Sequence, residues 1–259
     1  MKNTPLISVI ITTYNSSETI IETLESLARQ TFTNYEVLIY DDYSVDDTLE
    51  LISSFLAENI VLTTVYAASV NNGGPAAGRN WGCKNASGKY LCFLDADDVW
   101  TPEKLEVQFT LMEQSEFAAC SSNAHVINGN SFKQFSGILD IQRQILRNKI
   151  ILSSSMVRAQ FIKEKKMRFN ETKNYISVED YDFFLNILLK GGSIFVIGEK
   201  LIYYRVIESS ISHINFERNE LKRLMVLQRL ETKSMKLRSL IWIVRMIYLV
   251  KIKIWNSKY

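Results

Sequence analysis

The chain has 259 residues, enough for one large domain or one domain with an appendage, and its 47% hydrophobic and 22% charged residues rule out a disordered chain. The net charge of +2 conceals an asymmetry: residues 217–259 hold eleven Lys/Arg and three Asp/Glu, a balance of +8, which leaves −6 for residues 1–216. An acidic body excludes nucleic acid as the partner of the main domain.

The first apolar run, ISVIITTY, is short and lacks the cleavage region of a signal peptide, so it predicts an opening strand. In residues 18–29, Ile20, Ile21, Leu24, Leu27 and Ala28 mark one helical face, with Asn15 and Glu18 spaced as a capping pair. VLIY predicts a second strand. Leu49, Ile52 and Leu56 predict a helix over 45–57, opened by Ser44 and Asp47. IVLTTVY predicts a third strand, GGPAAGRNWGCKNA a helix entered at Pro75, and YLCFL a fourth strand. Strands alternating with helices imply a parallel α/β sheet whose ligands gather at the strand C-terminal ends. The polar clusters TTYN, DDYS and DADD all fall at such ends. The second half is less regular, with SVEDYDFFLNILLKGG reading as a helix closed by glycine and IFVIGEKLIYYRV as strands. The three cysteines, Cys83, Cys92 and Cys120, have no metal-ligand spacing, and an odd count without a signal peptide points to a reducing cytosol.

In YLCFLDADDVW, three carboxylates, Asp95, Asp97 and Asp98, crowd into four positions after a buried strand. Like charges this close repel, so a cation between them is expected. A D-x-D pair can hold Mn2+ or Mg2+ and leave room for phosphate oxygens; a solvated turn is the plainer alternative. Thr12 and Tyr14 offer a hydroxyl and an aromatic face to a nucleobase, and Asp42 can accept the N3–H of uracil. Asp46 and Asp47 suit charge matching at a helix N-terminus. Spacing alone makes Arg79 a surface arginine paired with a neighbouring acid. Glu179, Asp180 and Asp182 open a helix, where a carboxylate can cap the helix or act as a general base. His125 and His213 share no metal-binding spacing.

Taken in order, SVIITTYNSSETIIETLESLARQTFTNYEVLIYDDYSVDDT and NNGGPAAGRNWGCKNASGKYLCFLDADDVWTPEKL closely resemble the inverting family-2 glycosyltransferases of the GT-A fold, as found in bacterial polysaccharide and O-antigen assembly. The resemblance returns at SVEDYDFFLNILLKGG and LIYYRVIESSIS. It implies an α/β, Rossmann-like nucleotide-binding sheet with helices on both faces over residues 1–216, divided into a nucleotide half (1–110) and an acceptor half (111–216). Carried over by position, it assigns Thr12, Tyr14, Asp42 and Arg79 to the nucleotide pocket. It makes Asp97 the direct metal ligand, with Asp95 in the same metal motif and nearer the ribose. Asp180 becomes the base and Glu179 the support of the acceptor. Arg205 lies in the segment that closes over the donor diphosphate, although Ile207 stands where that family often has histidine. YLCFLDADDV also fits the signature of aspartate-nucleophile phosphatases, but the nucleotide-pocket pattern precedes it; a non-catalytic binding module is the other alternative.

Residues 217–259 read as a basic, amphipathic helical extension. In KLRSLIWIVRMIYLVKIKIW, residues 236–255, Arg245, Lys251 and Lys253 break the apolar run well below the about 20 residues that span a bilayer. Trp242 and Trp255 beside Lys/Arg suit a helix lying in a membrane interface, with packing on the catalytic domain as the alternative. The expectation is a cytoplasmic enzyme, peripheral to the inner membrane face. It transfers sugar from a UDP-sugar to a lipid-linked or other saccharide acceptor.

Overall fold

The computed structural model describes residues 4–59, 63–130, 134–206, 216–230 and 235–256. Strand β1 (Ile7–Thr13) has both faces covered, which is why its sequence is an unbroken apolar run rather than an alternation. Then come α1 (Ile20–Ala28), β2 (Tyr35–Asp41), α2 (Thr48–Glu58), β3 (Thr63–Ala67), α3 (Ala76–Asn85) and β4 (Tyr90–Asp95), the alternation expected. β1 lies parallel between β2 and β4, and β3 adds in parallel beyond β2. Residues 60–62, part of the predicted third strand, lie outside the described residues.

The second half comprises β5 (Val99–Trp100), α4 (Lys104–Glu113), β6 (Ala119–Ile127), β7 (Gly137–Leu139), α5 (Ile141–Leu146), β8 (Met156–Arg158), α6 (Ala159–Glu164), α7 (Glu179–Leu189) and β9 (Ile194–Arg205). Among the described residues the strands form one sheet, ordered β3-β2-β1-β4-β8-β6-β9-β5, with β7 paired to β9. Only the β3-β2-β1-β4 part follows the simple parallel scheme. β8 runs antiparallel to both β4 and β6, so the sheet is mixed. Of IFVIGEKLIYYRV, all but the last residue forms one long strand, not several: its register against β6 slips around Asn123, and this irregularity absorbs the glycine in its middle.

Helices cover both faces. Ile7, Val9, Ile11, Val37 and Ile39 pack under α1, α2 and α4. Ile10, Leu38, Leu91 and Phe93 face the other way, beneath α3, α6 and α7. α3 lies especially close to the sheet. A Cβ on Gly78 would stand 2.7 Å from Thr12 Cγ2 and from Tyr40 Cδ1, and one on Gly82 would strike Ile10.

The expected capping pair Asn15 and Glu18 does not cap: the N-cap of α1 is Thr19. Asp47 is the N-cap of α2, and neither cap residue makes a side-chain cap bond. Asn15 and Ser44 instead tie the loops after β1 and β2 together: Asn15 N donates to Ser44 Oγ, and Val45 N donates to Asn15 Oδ1.

The basic extension forms α8 (Phe216–Arg229) and α9 (Met235–Asn256). Leu224, Val226, Leu227, Ile241 and Val244 are buried together with Tyr181 and Leu185 of α7 and Ile145 of α5. α9 therefore packs on the main domain with one face. Its other face stays open, with Trp242 62% and Ile243 49% exposed beside Met246 and Ile247. The side chains of Lys251, Lys253 and Trp255 lie outside the described residues. None of the described helices is long and apolar enough to cross a membrane.

Candidate functional site

The parallel register brings the first candidates together. Thr12 stands opposite Tyr40 on one side and Asp95 on the other. Asp42 follows directly, its N–H donating to Thr13 O at 2.8 Å. Its buried carboxylate accepts from Asn72 N (2.9 Å) and Asn72 Nδ2 (2.7 Å), so the loop before α3 holds it in place. Tyr14 is half exposed beyond the end of β1. The neighbouring acids have structural work. Asp41 accepts from Ser44 N and Oγ. Asp46 accepts from Ser17 N and from Thr48; burial opposes ionisation there, but these hydrogen bonds prevail and lower its pKa to about 2.

Arg79 is not a surface residue. α3's glycines bring it against the sheet, where it is buried and bound to two carboxylates: Nη2 lies 2.8 Å from Asp95 Oδ1 and Nη1 lies 2.7 Å from Glu179 Oε1. The two acids are far apart in sequence, on the end of β4 and the start of α7. Burial alone would lower the guanidinium pKa; the charges of Asp95 and Glu179 outweigh it and keep Arg79 firmly protonated. Glu179 Oε2 is buried without a hydrogen-bond partner among the described residues.

The turn after β4 holds its acids at unequal depth. Asp98 is buried and accepts from Arg205 N at 3.0 Å. Burial and the charges of Asp97 and Asp95 push its pKa well above the usual carboxylate range. Asp97 is raised to about 6, first by burial and then by Asp95. Arg205 Nε donates to Asp97 O at 3.0 Å, and its guanidinium pairs with Glu22 of α1. Arg205 thus fastens β9 to the acidic turn. Ile207 and His213 lie outside the described residues. Among the described residues, no three His, Cys, Asp or Glu side chains converge as a metal cage. A cation at Asp95 and Asp97 would need oxygens from elsewhere.

A cavity of about 350 Å³ opens beside this corner, lined by Asp95, Arg79, Glu179, Asp180, Asn148 and Tyr204 among others. Asp180 Oδ1 accepts from Tyr181 N at 2.7 Å and Oδ2 from Asn148 Nδ2 at 3.1 Å. Burial, then the charge of Glu179, raise its pKa to about 6 against the pull of Arg79. A carboxylate with that pKa is suited to accept a proton near neutral pH. Asp182 is raised to about 6 by burial but is not among the residues lining the cavity. Nothing in the sequence pointed to Asn148, Asn72 or Ser153, whose Oγ accepts from Asp95 N. Asn148 and Asn72 lie in loops and Ser153 in a single 3-10 turn, with no spacing to mark them.

The model for glycosyl transferase family 2 matches residues 8–184. The chain belongs to glycosyl transferase family 2. Two Escherichia coli members, the UDP-Glc:alpha-D-GlcNAc-diphosphoundecaprenol beta-1,3-glucosyltransferases WfgD and WfaP, are each 33% identical to it, over 84% and 82% of this chain and 83% and 82% of theirs. Among solved structures, Staphylococcus aureus TarS 1-349 in complex with UDP-GlcNAc superposes with a TM-score of 0.76 at 24% identity, covering 91% of this chain and 70% of that one. A Pyrobaculum calidifontis mannosyltransferase with GDP-Man and Mn2+ gives 0.72 at 15% identity, covering 95% and 70%. The GT-A fold expected from the sequence is therefore present. Membership in family 2 sets the phosphatase reading of YLCFLDADDV aside and makes the chain a glycosyltransferase.

Proposed function

We propose that this family-2 member transfers a hexose from a UDP-sugar to a hydroxyl of a lipid-diphosphate-linked saccharide, with inversion at the anomeric carbon. The two Escherichia coli relatives, named for a UDP-glucose donor and a diphosphoundecaprenol-linked acceptor, support this donor and acceptor class. The observation that carries the reading is the Arg79 bridge. It joins the donor corner at Asp95 to the α7 acids, so that Asp180 looks into the cavity that Asp95 also lines.

Thr12, Tyr14 and Asp42 lie where the nucleoside would rest, Asp42 offering uracil a carboxylate preset by Asn72. The acid pair fits a divalent cation: its donors are oxygens only, and two carboxylates stand two residues apart at the end of β4. Asp97 and Asp95 would hold Mn2+ or Mg2+, which when bound neutralises charge on a leaving diphosphate. Asp180 takes the proton of the acceptor hydroxyl as its oxygen bonds to C1. The bond from C1 to the diphosphate oxygen breaks with its electron pair leaving on UDP. Attack from the side opposite the leaving group inverts C1. Glu179, fixed by Arg79, supports the acceptor, and Arg205 steadies the acidic turn from behind.

The open face of α9, with Trp242 and Ile243, would rest on the membrane that carries the acceptor. Vesicle co-sedimentation tests this: Trp242→Ser with Ile243→Ser should weaken binding to anionic vesicles, and unchanged binding would remove the membrane from the account. Donor choice is tested by thermal protection and turnover across a nucleotide-sugar panel. Protection by UDP-sugars that needs Mn2+ or Mg2+ is expected; protection by none of them would contradict the reading.

A further inference from the structure

Helix α8 belongs to the C-terminal extension, yet three of its side chains end on three successive residues of one turn in the main domain. Arg229 Nη1 donates to Tyr175 Oη at 3.2 Å, and Lys222 Nζ donates to Ile176 O at 2.6 Å. Asn219 Oδ1 accepts from Ser177 Oγ at 2.9 Å, a proton that Ser177 shares with Ile176 O. Asn219 is buried, as are Tyr175 and Val178, which pack with Leu224 and Leu227 of α8. The turn leads directly into α7. Val178 N donates to Tyr175 O at 2.9 Å, and Val178, the N-cap of α7, has no side-chain group to hold the helix end. Glu179 and Asp180 follow at once. Ser177 has a φ of 72°, the left-handed region that a serine keeps only where its surroundings hold it. It lines the same cavity as Asp180.

We propose that Asn219 and Lys222 are positioning residues, through which α8 braces the strained Ser177 turn and so aims Glu179 and Asp180 into the cavity. The inference rests on the transfer reading given above and adds to it a part for the C-terminal extension in the reaction itself. Serine, unlike glycine, leaves the left-handed region once its restraints go, so the brace is needed to keep the turn. A released turn changes how α7 enters the site, and a misplaced base loses rate rather than substrate affinity.

The test uses the full-length protein with Asn219→Leu, Ser177→Ala, the two combined, and Leu221→Gly as the control. Leu221 is exposed on α8, so glycine there weakens the helix without touching the turn. Asn219→Leu should lower kcat for sugar transfer by about tenfold or more, with KM for both substrates within about twofold of wild type. Ser177→Ala should do the same, and the double variant should stay within about threefold of either, since both remove one contact. Leu221→Gly should lower the denaturation midpoint and keep the wild-type kcat. A wild-type kcat in Asn219→Leu, or an equal fall in Leu221→Gly, would overturn the proposal. Amide hydrogen exchange provides a second readout that needs no turnover. The N–H groups of Val178 and Tyr181, which donate to Tyr175 O and Asp180 Oδ1, should exchange faster in Asn219→Leu than in Leu221→Gly. Faster exchange in a protein whose wild type transfers no sugar sinks the transfer reading and keeps the brace; unchanged exchange beside wild-type transfer sinks the brace alone.

Discussion

Arg79 binds Asp95 and Glu179 at once, and this pair of contacts joins the C-terminal end of β4 to the start of α7, the helix of the proposed base. Removing it leaves two acids facing each other without their shared cation. Arg79→Met should therefore destabilise the fold by about 3–5 kcal/mol, read in denaturant unfolding. From sequence spacing Arg79 reads as a surface residue, because nothing in GGPAAGRN reports that its glycines let the helix sink toward Thr12 and Tyr40. The acids of VEDYD were legible as a group at a helix start, whereas Asn148, which donates to Asp180, was not. With a pKa of about 6, Asp180 accepts protons only once deprotonated, so kcat/KM should fall as pH drops through about 6. Asp182 has a similar pKa but lies outside the cavity, and Asp182→Asn should leave the acid limb of that profile in place.

The parallel strands β1, β2 and β4 were readable because an apolar run ending in polar residues is what a doubly covered strand must look like. Their C-terminal ends carried TTYN, DDYS and DADD, so the gathering of these polar clusters at one edge of the sheet was visible before the fold. The mixed region was not: β6 and β9 pair across a register slip, and the residues facing the cavity follow no period. α3 provides the test of close packing. Gly82→Ala places a methyl against Ile10 and should cost about 1–3 kcal/mol, seen as a lower denaturation midpoint. A midpoint equal to wild type would mean that α3 does not need its glycines to reach the sheet.

The C-terminal helices take the packing alternative on one face of α9. Cations on several sides of the α9 wheel obscured the stripe of Leu237, Leu240, Ile241 and Val244 that packs on the domain, yet Trp242 and Ile243 remain exposed. Across the molecule, Asp97, Asp180 and Asp182 have pKa values raised from 3.8 to about 6. The folded chain keeps protons on these groups that the unfolded chain has released, so their contribution to stability declines as pH rises from about 4 to about 6. Asp46, lowered to about 2, acts in the opposite sense and below that window. Thermal unfolding without metal should thus show the three groups favouring pH 5 over pH 7. Mn2+ should narrow the gap by supplying Asp97 with charge.

The most direct test is the rate of sugar transfer from a UDP-sugar in Asp180→Asn, with UDP-sugar affinity measured on the same preparation. Loss of about 10²–10⁴-fold in rate with affinity retained is the outcome this structure predicts. Transfer within a few-fold of wild type would contradict Asp180 as the base, and with it the placement of the reaction in this cavity.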